Sequence, residues 1–427
     1  MAKPIVVFEY DYIPISSKYI NIFKKINKVY SKTSNEEDAV FKIYGNQVKV
    51  KQFVGVIKVG NQTIQILPKL LSEKNHTVDQ NNSEIIKNLL FMLKYTSKLD
   101  LKETDLVNLK KCEDIFEVII YLFAKNLLEL LKFDLVKNYE LKKENLSCIK
   151  GKIQFTKHIK SNLINKSKFY CEFDEFTSDN LLNQLFKSTI CKLIKITKSN
   201  ENYKLLVNCN IILSDISFKH LKEKDLKKIK FTRFNQCYKP SYNLAKLLLF
   251  GNSVELSSAD INTTSLLFDM NKLFEEFITK FITKKFPEYK IKAQSQLHLF
   301  ENPRSFLLKP DILLINKNNS KIIIDTKYKL LQKEENNNHN NVYSGDIYQM
   351  IAYSTRFFES EKSDFKKLIL LYPENKEKII DKRYIQNNLI IRIETVNLHQ
   401  DLMKKANILK QELKEIIESS INQDTFK

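Results

Sequence analysis

The spacing of apolar residues changes character along the chain. Up to about residue 75 it is the alternating spacing of strands: "VVFEY", "AVFKIYGNQVKVKQFVGVIKVG" and "TIQILPKL" are rich in β-branched and aromatic residues, and Gly45, Gly55 and Gly60 punctuate them. A small β-rich domain over residues 1–80 is the expectation. From about residue 83 the spacing becomes helical. "SEIIKNLLFMLKYTSKL" puts Ile85, Ile86, Leu89, Leu90 and Leu93 on one face, with Ser83 as a candidate N-cap. "EDIFEVIIYLFAKNLLELLKF", "SDNLLNQLFKSTICKLIKIT" and "YNLAKLLLFG" continue the pattern, which predicts a mainly helical middle region over 81–265. Such stripes read as core. From residue 266 the periods mix. A helix ("NKLFEEFITKFITKKF") is followed by "YKIKAQSQLHLF", an apolar hairpin, a polar loop, a second helix ("SGDIYQMIAYSTRFF") and the strand "KKLILLYP". That order predicts an α/β domain over 266–427, so the fold class is multidomain α/β (α+β).

Composition sharpens this picture in three ways. A chain of 427 residues exceeds one ordinary core, and 43% hydrophobic content is ample for globular domains. The 70 Lys+Arg against 50 Asp+Glu leave a net charge of +20, which favours a polyanionic partner such as nucleic acid, although a Lys-, Asn- and Ile-rich genome bias supplies part of the excess. In "HLKEKDLKKIKFTRF" a phosphate-facing patch and a solvated lysine face are equally good readings. The six cysteines lie far apart with no CxxC pair, so reduced buried thiols are expected rather than a zinc site. The start "MAKPIVVFEYDYIP" lacks a signal-peptide layout and no apolar run approaches the ~18–20 residues of a membrane span, which predicts a cytoplasmic protein.

The candidate chemistry lies in "KPDILLINKNNSKIIIDTKYK", Lys309 to Lys329. A hairpin turning at Asn318 sets Asp311 opposite Asp325, because each is seven residues from the turn centre. Opposed side chains on paired strands have Cβ atoms ~4.5–5.5 Å apart. Two ionised carboxylates at that distance repel by roughly 3 kcal/mol at an effective dielectric of ~20. A purely structural hairpin gains nothing from this. Lys327, on the same face as Asp325, or a divalent cation would compensate. With a metal in place, Lys327 would orient or deprotonate a water, or stabilise charge on phosphorus. Two other D-x-K triplets, Asp225–Lys227 and Asp364–Lys366, lack a facing Pro-Asp. In the helix before the hairpin, Leu273, Phe274, Phe277, Ile278, Phe281 and Ile282 form the buried stripe, Glu275 lies at its edge and Glu276 points to solvent. Downstream, Gln349 and Tyr353 share a helix face.

This pattern, Pro-Asp, then Asp-x-Lys after a helix bearing a glutamate, then Q-x-x-x-Y, resembles the PD-(D/E)xK nucleases, and Q-x-x-x-Y is found in their RecB-like branch. More of the chain resembles the McrC subunits of McrBC-type modification-dependent restriction systems. The resembling pieces are "VGVIKVGNQTIQILPKL", "IKGKIQF", "DNLLNQLFKSTI", "MNKLFEEF", "LKPDILL", "IIIDTKYK", "DIYQMIAYS" and "LILLYP", in the expected order over nearly the whole length. The resemblance implies a C-terminal PD-(D/E)xK-type nuclease domain acting in phage defence. It implies Mg2+ or Mn2+ held by Asp311, Asp325 and Thr326, Lys327 as catalytic lysine, Glu275 as the helix glutamate, and Gln349 with Tyr353 as the accessory motif. The acidic residue of D-x-K is Asp rather than Glu, which the superfamily tolerates. The implied substrate is double-stranded, modified DNA. The implied partner is an McrB-like AAA+ GTPase that binds the GTP and is stimulated through the N-terminal part of this chain. Gly55 and Gly60 match half of a phosphate loop, but Asn61 and Gln62 follow, so any motor acts in trans. Two other readings fit parts of the pattern: a non-catalytic DNA-binding adaptor that activates an AAA+ ring, and a standalone DNA-repair nuclease. The Asn-rich loop "QKEENNNHNN" with His339 is expected to be solvated.

Overall fold

The computed structural model describes residues 4–15, 19–30, 39–59, 62–69, 82–97, 114–250, 263–329, 331, 342–358, 366–374 and 382–419. The chain divides into two compact units, Phe116–Ser253 and the combination of Ala2–Ile115 with Val254–Lys427. The sequence-based cuts at 80/81 and 265/266 therefore do not coincide with the compact units.

The physical reason is strand and helix pairing across the cuts. In the larger unit, a four-stranded sheet runs in the order Ile5–Phe8, Gln62–Leu67, Phe53–Val59, Thr263–Asp269. Its last strand comes from the far side of the helical region and pairs antiparallel with Phe53–Val59. Likewise the helix Asn82–Tyr95, expected in the middle region, packs on the helix Met270–Lys285 through Phe91–Phe277 and Tyr95–Phe281 ring contacts at 6.1 and 5.3 Å. This helix begins at Asn82, so Ser83 lies in its first turn and not at the cap. A three-stranded antiparallel sheet, Tyr12–Pro14, Gln47–Val50 and Phe41–Tyr44, completes the N-terminal part. Residues 1–80 also hold a helix, Ile20–Tyr30, which strand-like neighbours concealed. Ile22, Phe23 and Ile26 of that helix are buried, and Asn27 stitches it to the sheet by exchanging two hydrogen bonds with the Phe41 backbone, at 2.7 and 2.8 Å.

Gly55 sits inside the Phe53–Val59 strand at φ +136°, between two paired neighbours, and not in a phosphate-binding turn. An added Cβ there would lie 2.0 Å from the Leu266 carbonyl oxygen.

The C-terminal sheet has six strands in the order Lys290–Ala293, Ile312–Ile315, Lys321–Thr326, Lys366–Pro373, Leu389–Val396, Lys382–Gln386. The three central strands from Lys321–Thr326 to Leu389–Val396 are parallel, and the rest pair antiparallel. Parallel strands need a crossover, and the helix Ser344–Phe357 lies in the crossover between Lys321–Thr326 and Lys366–Pro373. Ile323, Leu368, Leu370, Ile391 and Ile393 form a core with Met350, Tyr353 and Phe357 of that helix. Apolar residues on successive positions of these strands are what a sheet covered on both faces requires.

The smaller unit contains helices Leu181–Ile196, Asn200–Ile212 and Lys239–Phe250, with a three-stranded antiparallel sheet of Asn138–Leu146, Phe169–Thr177 and Lys152–Ile153 that the helical reading did not include. Asn180 caps the first of these helices by accepting from the Leu182 and Asn183 amides. Asp225 lies in the short helix Glu223–Leu226, paired with Lys228, as a surface charge pair. Of the thiols, Cys171 and Cys209 are buried as expected, while Cys148 and Cys237 are exposed. Among the described residues no helix is long and apolar enough to cross a membrane. Asp364, Gly60 and the 332–341 loop with His339 lie outside the described residues.

Candidate active site

The hairpin has the register that its symmetry requires. Ile312 pairs with Ile324, Leu313 with Ile323, Leu314 with Ile322 and Ile315 with Lys321. One step further, where the ladder ends, Asp311 stands opposite Asp325. Four β-branched or leucine residues on the first arm and three isoleucines on the second drive the strands into the core and leave the two carboxylates beyond the last hairpin pair.

Each carboxylate has its own environment. Asp325 is buried at 1% exposure. Its Oδ2 lies 2.6 Å from the Lys327 ammonium, a buried ion pair. Its Oδ1 accepts only a long 3.5 Å contact from the Tyr353 hydroxyl. Asp311 is held by Thr326, whose backbone N–H and Oγ1 both donate to Oδ2 at 2.7 Å. Thr326 thus holds Asp311 through its hydroxyl and amide, which leaves its carbonyl as the group that could serve a metal beside the two aspartates.

Lys327 is reached from the helix side. Its Nζ donates to Gln349 Oε1 at 2.9 Å, and Gln349 Nε2 donates to the Tyr353 hydroxyl at 2.7 Å. Asp325, Lys327, Gln349 and Tyr353 close a ring of contacts, made possible because residues four apart on a helix share a face. Glu275 is joined through an unforeseen residue. Gln294 donates its Nε2 to Glu275 Oε1 at 2.5 Å and its backbone N–H to the Asp311 carbonyl at 2.9 Å. The structure therefore brings together all six predicted catalytic side chains, with Thr326. The Met270–Lys285 stripe is buried as predicted. Glu276, expected in solvent, is half-buried.

The electrostatics follow from the burial. Asp311 is pushed up to about 6, first by desolvation and then by the Asp325 charge. Asp325 is also raised, chiefly by burial. Glu275 rises through burial and then the Asp311 charge. Burial alone would lower the Lys327 ammonium, but the adjacent Asp325 charge outweighs it and the net direction is up. The Tyr353 phenol is raised strongly by burial and the two aspartates, so it stays a neutral donor.

Two buried carboxylates side by side, with the Lys327 ammonium as their one close counter-charge among the described residues, fit a hard, oxygen-seeking cation. Among the described residues no three of His, Cys, Asp and Glu lie close enough together to cage a metal. Two carboxylates plus water and phosphate oxygens is the ligand set that suits Mg2+ and not zinc.

Sequence reasoning missed Gln294, Lys329, Asp346 and Tyr372. Asp346 Oδ2 accepts from Tyr372 at 3.1 Å and lies 3.2 Å from Lys329 Nζ. Its position three residues before Gln349 was a legible signal. For Gln294 the sequence carried none.

Comparison with known proteins supplies the family. The family described as McrBC 5-methylcytosine restriction system components matches residues 48–373. The chain is similar to the type IV methyl-directed restriction enzyme EcoKMcrBC of Escherichia coli (strain K12), 24% identical over 334 residues, 74% of this chain and 93% of the relative. It resembles a refined half-complex from a tetradecameric assembly of Thermococcus gammatolerans McrB AAA+ hexamers with bound McrC, at a TM-score of 0.73, covering 97% of this chain and all of that one. At 23% identity this likeness speaks to the fold. The cryo-EM structure of the Thermococcus gammatolerans McrBC complex is similar at a TM-score of 0.52 and 25% identity, over 67% of this chain and 89% of that one.

Proposed function

The chain belongs to the McrBC family of 5-methylcytosine restriction system components, and from that premise we propose that it is the McrC-like endonuclease subunit, hydrolysing DNA phosphodiesters under the control of an McrB-like AAA+ GTPase. The observation that carries this reading is the Asp311–Asp325–Lys327 cluster, with Gln349 and Tyr353 completing it. Asp311 and Asp325 would hold Mg2+, which supplies Lewis-acid polarisation of the phosphoryl group and acidifies water.

The chain's own residues do the rest. Thr326 fixes Asp311, so the two carboxylates are pre-positioned before any ligand arrives. Lys327, kept an ammonium by Asp325, stabilises negative charge on the reacting phosphoryl and does not act as a base. Gln349 orients Lys327, and Tyr353 orients Gln349. Gln294 ties Glu275 to the Asp311 backbone, which sets the distance between helix and hairpin.

The test is reconstitution. The chain, its AAA+ partner, GTP and 5-methylcytosine plasmid are incubated with Mg2+ or with EDTA. Cleavage that requires Mg2+ and the partner is expected. Cleavage without the partner favours a standalone nuclease, and stimulated GTP hydrolysis with no cleavage under any condition favours an adaptor.

The raised Asp311 carboxyl gives a second prediction. In the metal-free protein the folded state keeps that proton to about pH 6, while an unfolded chain releases it near the ordinary 3.8. Between those values the folded state binds more protons, so stability falls as pH rises and the full loss is present above pH 6. Asp311→Asn should therefore melt higher than wild type at pH 7.5 by an amount on the order of 2 kcal/mol. The advantage should shrink as pH falls through this window and vanish only below the ordinary 3.8. An advantage independent of pH would overturn the assignment.

A further inference from the structure

We propose that Lys329 grips the backbone of the substrate DNA strand beside the reacting phosphodiester, a role that rests on the nuclease reading and that neither the motif nor the family assignment gives to this residue. Lys327 and Lys329 flank Tyr328, which is buried and donates to Glu9 at 2.8 Å. Both lysines turn the other way, toward the helix Ser344–Phe357. Lys327 meets Gln349, while Lys329 sits on both oxygens of Asp346, at 3.3 and 3.2 Å. Residues three apart on a helix are one turn apart, with Cβ atoms about 5–6 Å apart. The two ammonium groups thus form a short row leading away from Asp325.

The two lysines differ in what they are free to do. The Lys327 side chain is 18% exposed and committed to the ring of contacts, whereas that of Lys329 is 53% exposed. Lys329 Nζ also lies 5.2 Å from the centre of the Tyr343 ring, and that ring is itself open to solvent. Asp346 does not depend on Lys329. Its Oδ2 also accepts from the buried Tyr372 hydroxyl at 3.1 Å, and it occupies the first turn of its helix, where the macrodipole favours an anion. Lys329 can therefore exchange Asp346 for a phosphate while that carboxylate keeps its Tyr372 hydrogen bond and its place at the positive end of the helix. The Asp346 seat keeps the long side chain ordered beside the site beforehand, which lowers the entropy cost of capture.

The full-length chain would be titrated with a fluorescent 5-methylcytosine duplex without divalent metal, over a salt series, as wild type, Lys329→Gln and Lys329→Arg. Glutamine keeps a polar side chain with N–H donors, one bond shorter, but removes the charge. A lost phosphate contact makes the slope of log K against log salt shallower by about 0.9. The expected result is that change in Lys329→Gln, with binding several-fold weaker at low salt, and restoration by arginine. In the reconstituted reaction KM should rise while kcat is retained. A wild-type slope in Lys329→Gln overturns the proposal, and if the melting temperature has fallen as well, Lys329 is a structural clip between strand and helix. Because binding is read without cleavage, that outcome counts against Lys329 alone. The nuclease reading falls separately, if Asp325→Ala still cuts.

Discussion

Asp325→Ala and Lys327→Ala should each lower DNA cleavage by the reconstituted complex at least about a thousandfold, or roughly 4 kcal/mol of transition-state stabilisation. Asp325 is the more diagnostic of the two. It is the buried member of the carboxylate pair, with the Lys327 ammonium as its counter-charge. Burial raises its proton affinity, which means the ionised form is a cost to the metal-free protein. The alanine variant removes that cost but also the counter-charge of Lys327, which keeps its hydrogen bond to Gln349, so it should fold and still stimulate GTP hydrolysis by the partner. Lys327→Ala differs in one respect. It leaves the Asp325 carboxylate buried without its counter-charge, and removing one partner of a buried pair is destabilising. The double variant should be more stable than Lys327→Ala and no less active than either single one, since the residues act as a unit. Wild-type cleavage rates in Asp325→Ala would remove the hairpin from the chemistry altogether.

The largest structural effect is expected at Gly55→Ala. The glycine lies in an interior strand at φ +136°, and a methyl group would meet the Leu266 carbonyl oxygen at 2.0 Å. That atom is backbone in a paired strand, so relief requires moving the Thr263–Asp269 strand that joins the C-terminal sequence to the N-terminal sheet. The cost should be at least about 3 kcal/mol, combining a disallowed backbone conformation with lost ladder geometry. For a domain of this size that corresponds to a melting temperature lower by roughly 6–12 °C. Gly45→Ala is the internal control. It also has a positive φ, of +52°, but open space around its missing Cβ. It should cost only the roughly 1–2 kcal/mol of a left-handed alanine. Equal melting of the two variants would contradict the close approach at Gly55.

Much of the site was legible because it is built from local periodicities. Asp311 and Asp325 are symmetric about Asn318, and the turn fixes the register that pairs Ile312 with Ile324 and Leu313 with Ile323. Gln349 and Tyr353 share a helix face by their spacing. What spacing cannot give is which two elements meet. Gln294 binds Glu275 because the strand Lys290–Ala293 pairs with Ile312–Ile315, and Asp346 reaches Tyr372 because the crossover helix packs on Lys366–Pro373. Those are long-range events with no local signature.

The amino-acid pattern by itself determined the two helices Met270–Lys285 and Ser344–Phe357, the hairpin strands and the strand Lys366–Pro373, together with the opposed aspartates and the lysine beside them, but not the strands Lys382–Gln386 and Leu389–Val396 or the helix Ala406–Glu418. These follow from the alternation of side chains along single elements and need no knowledge of what lies across the core. The tertiary structure alone decided the cut into units, because the Thr263–Asp269 strand closes a sheet begun some two hundred residues earlier. It alone decided the protonation of the site as well. Asp311 rises and Lys327 stays charged because packing removes water from them and sets their charges side by side. Burial and Coulomb interaction depend on distance in space, and sequence separation does not report that distance.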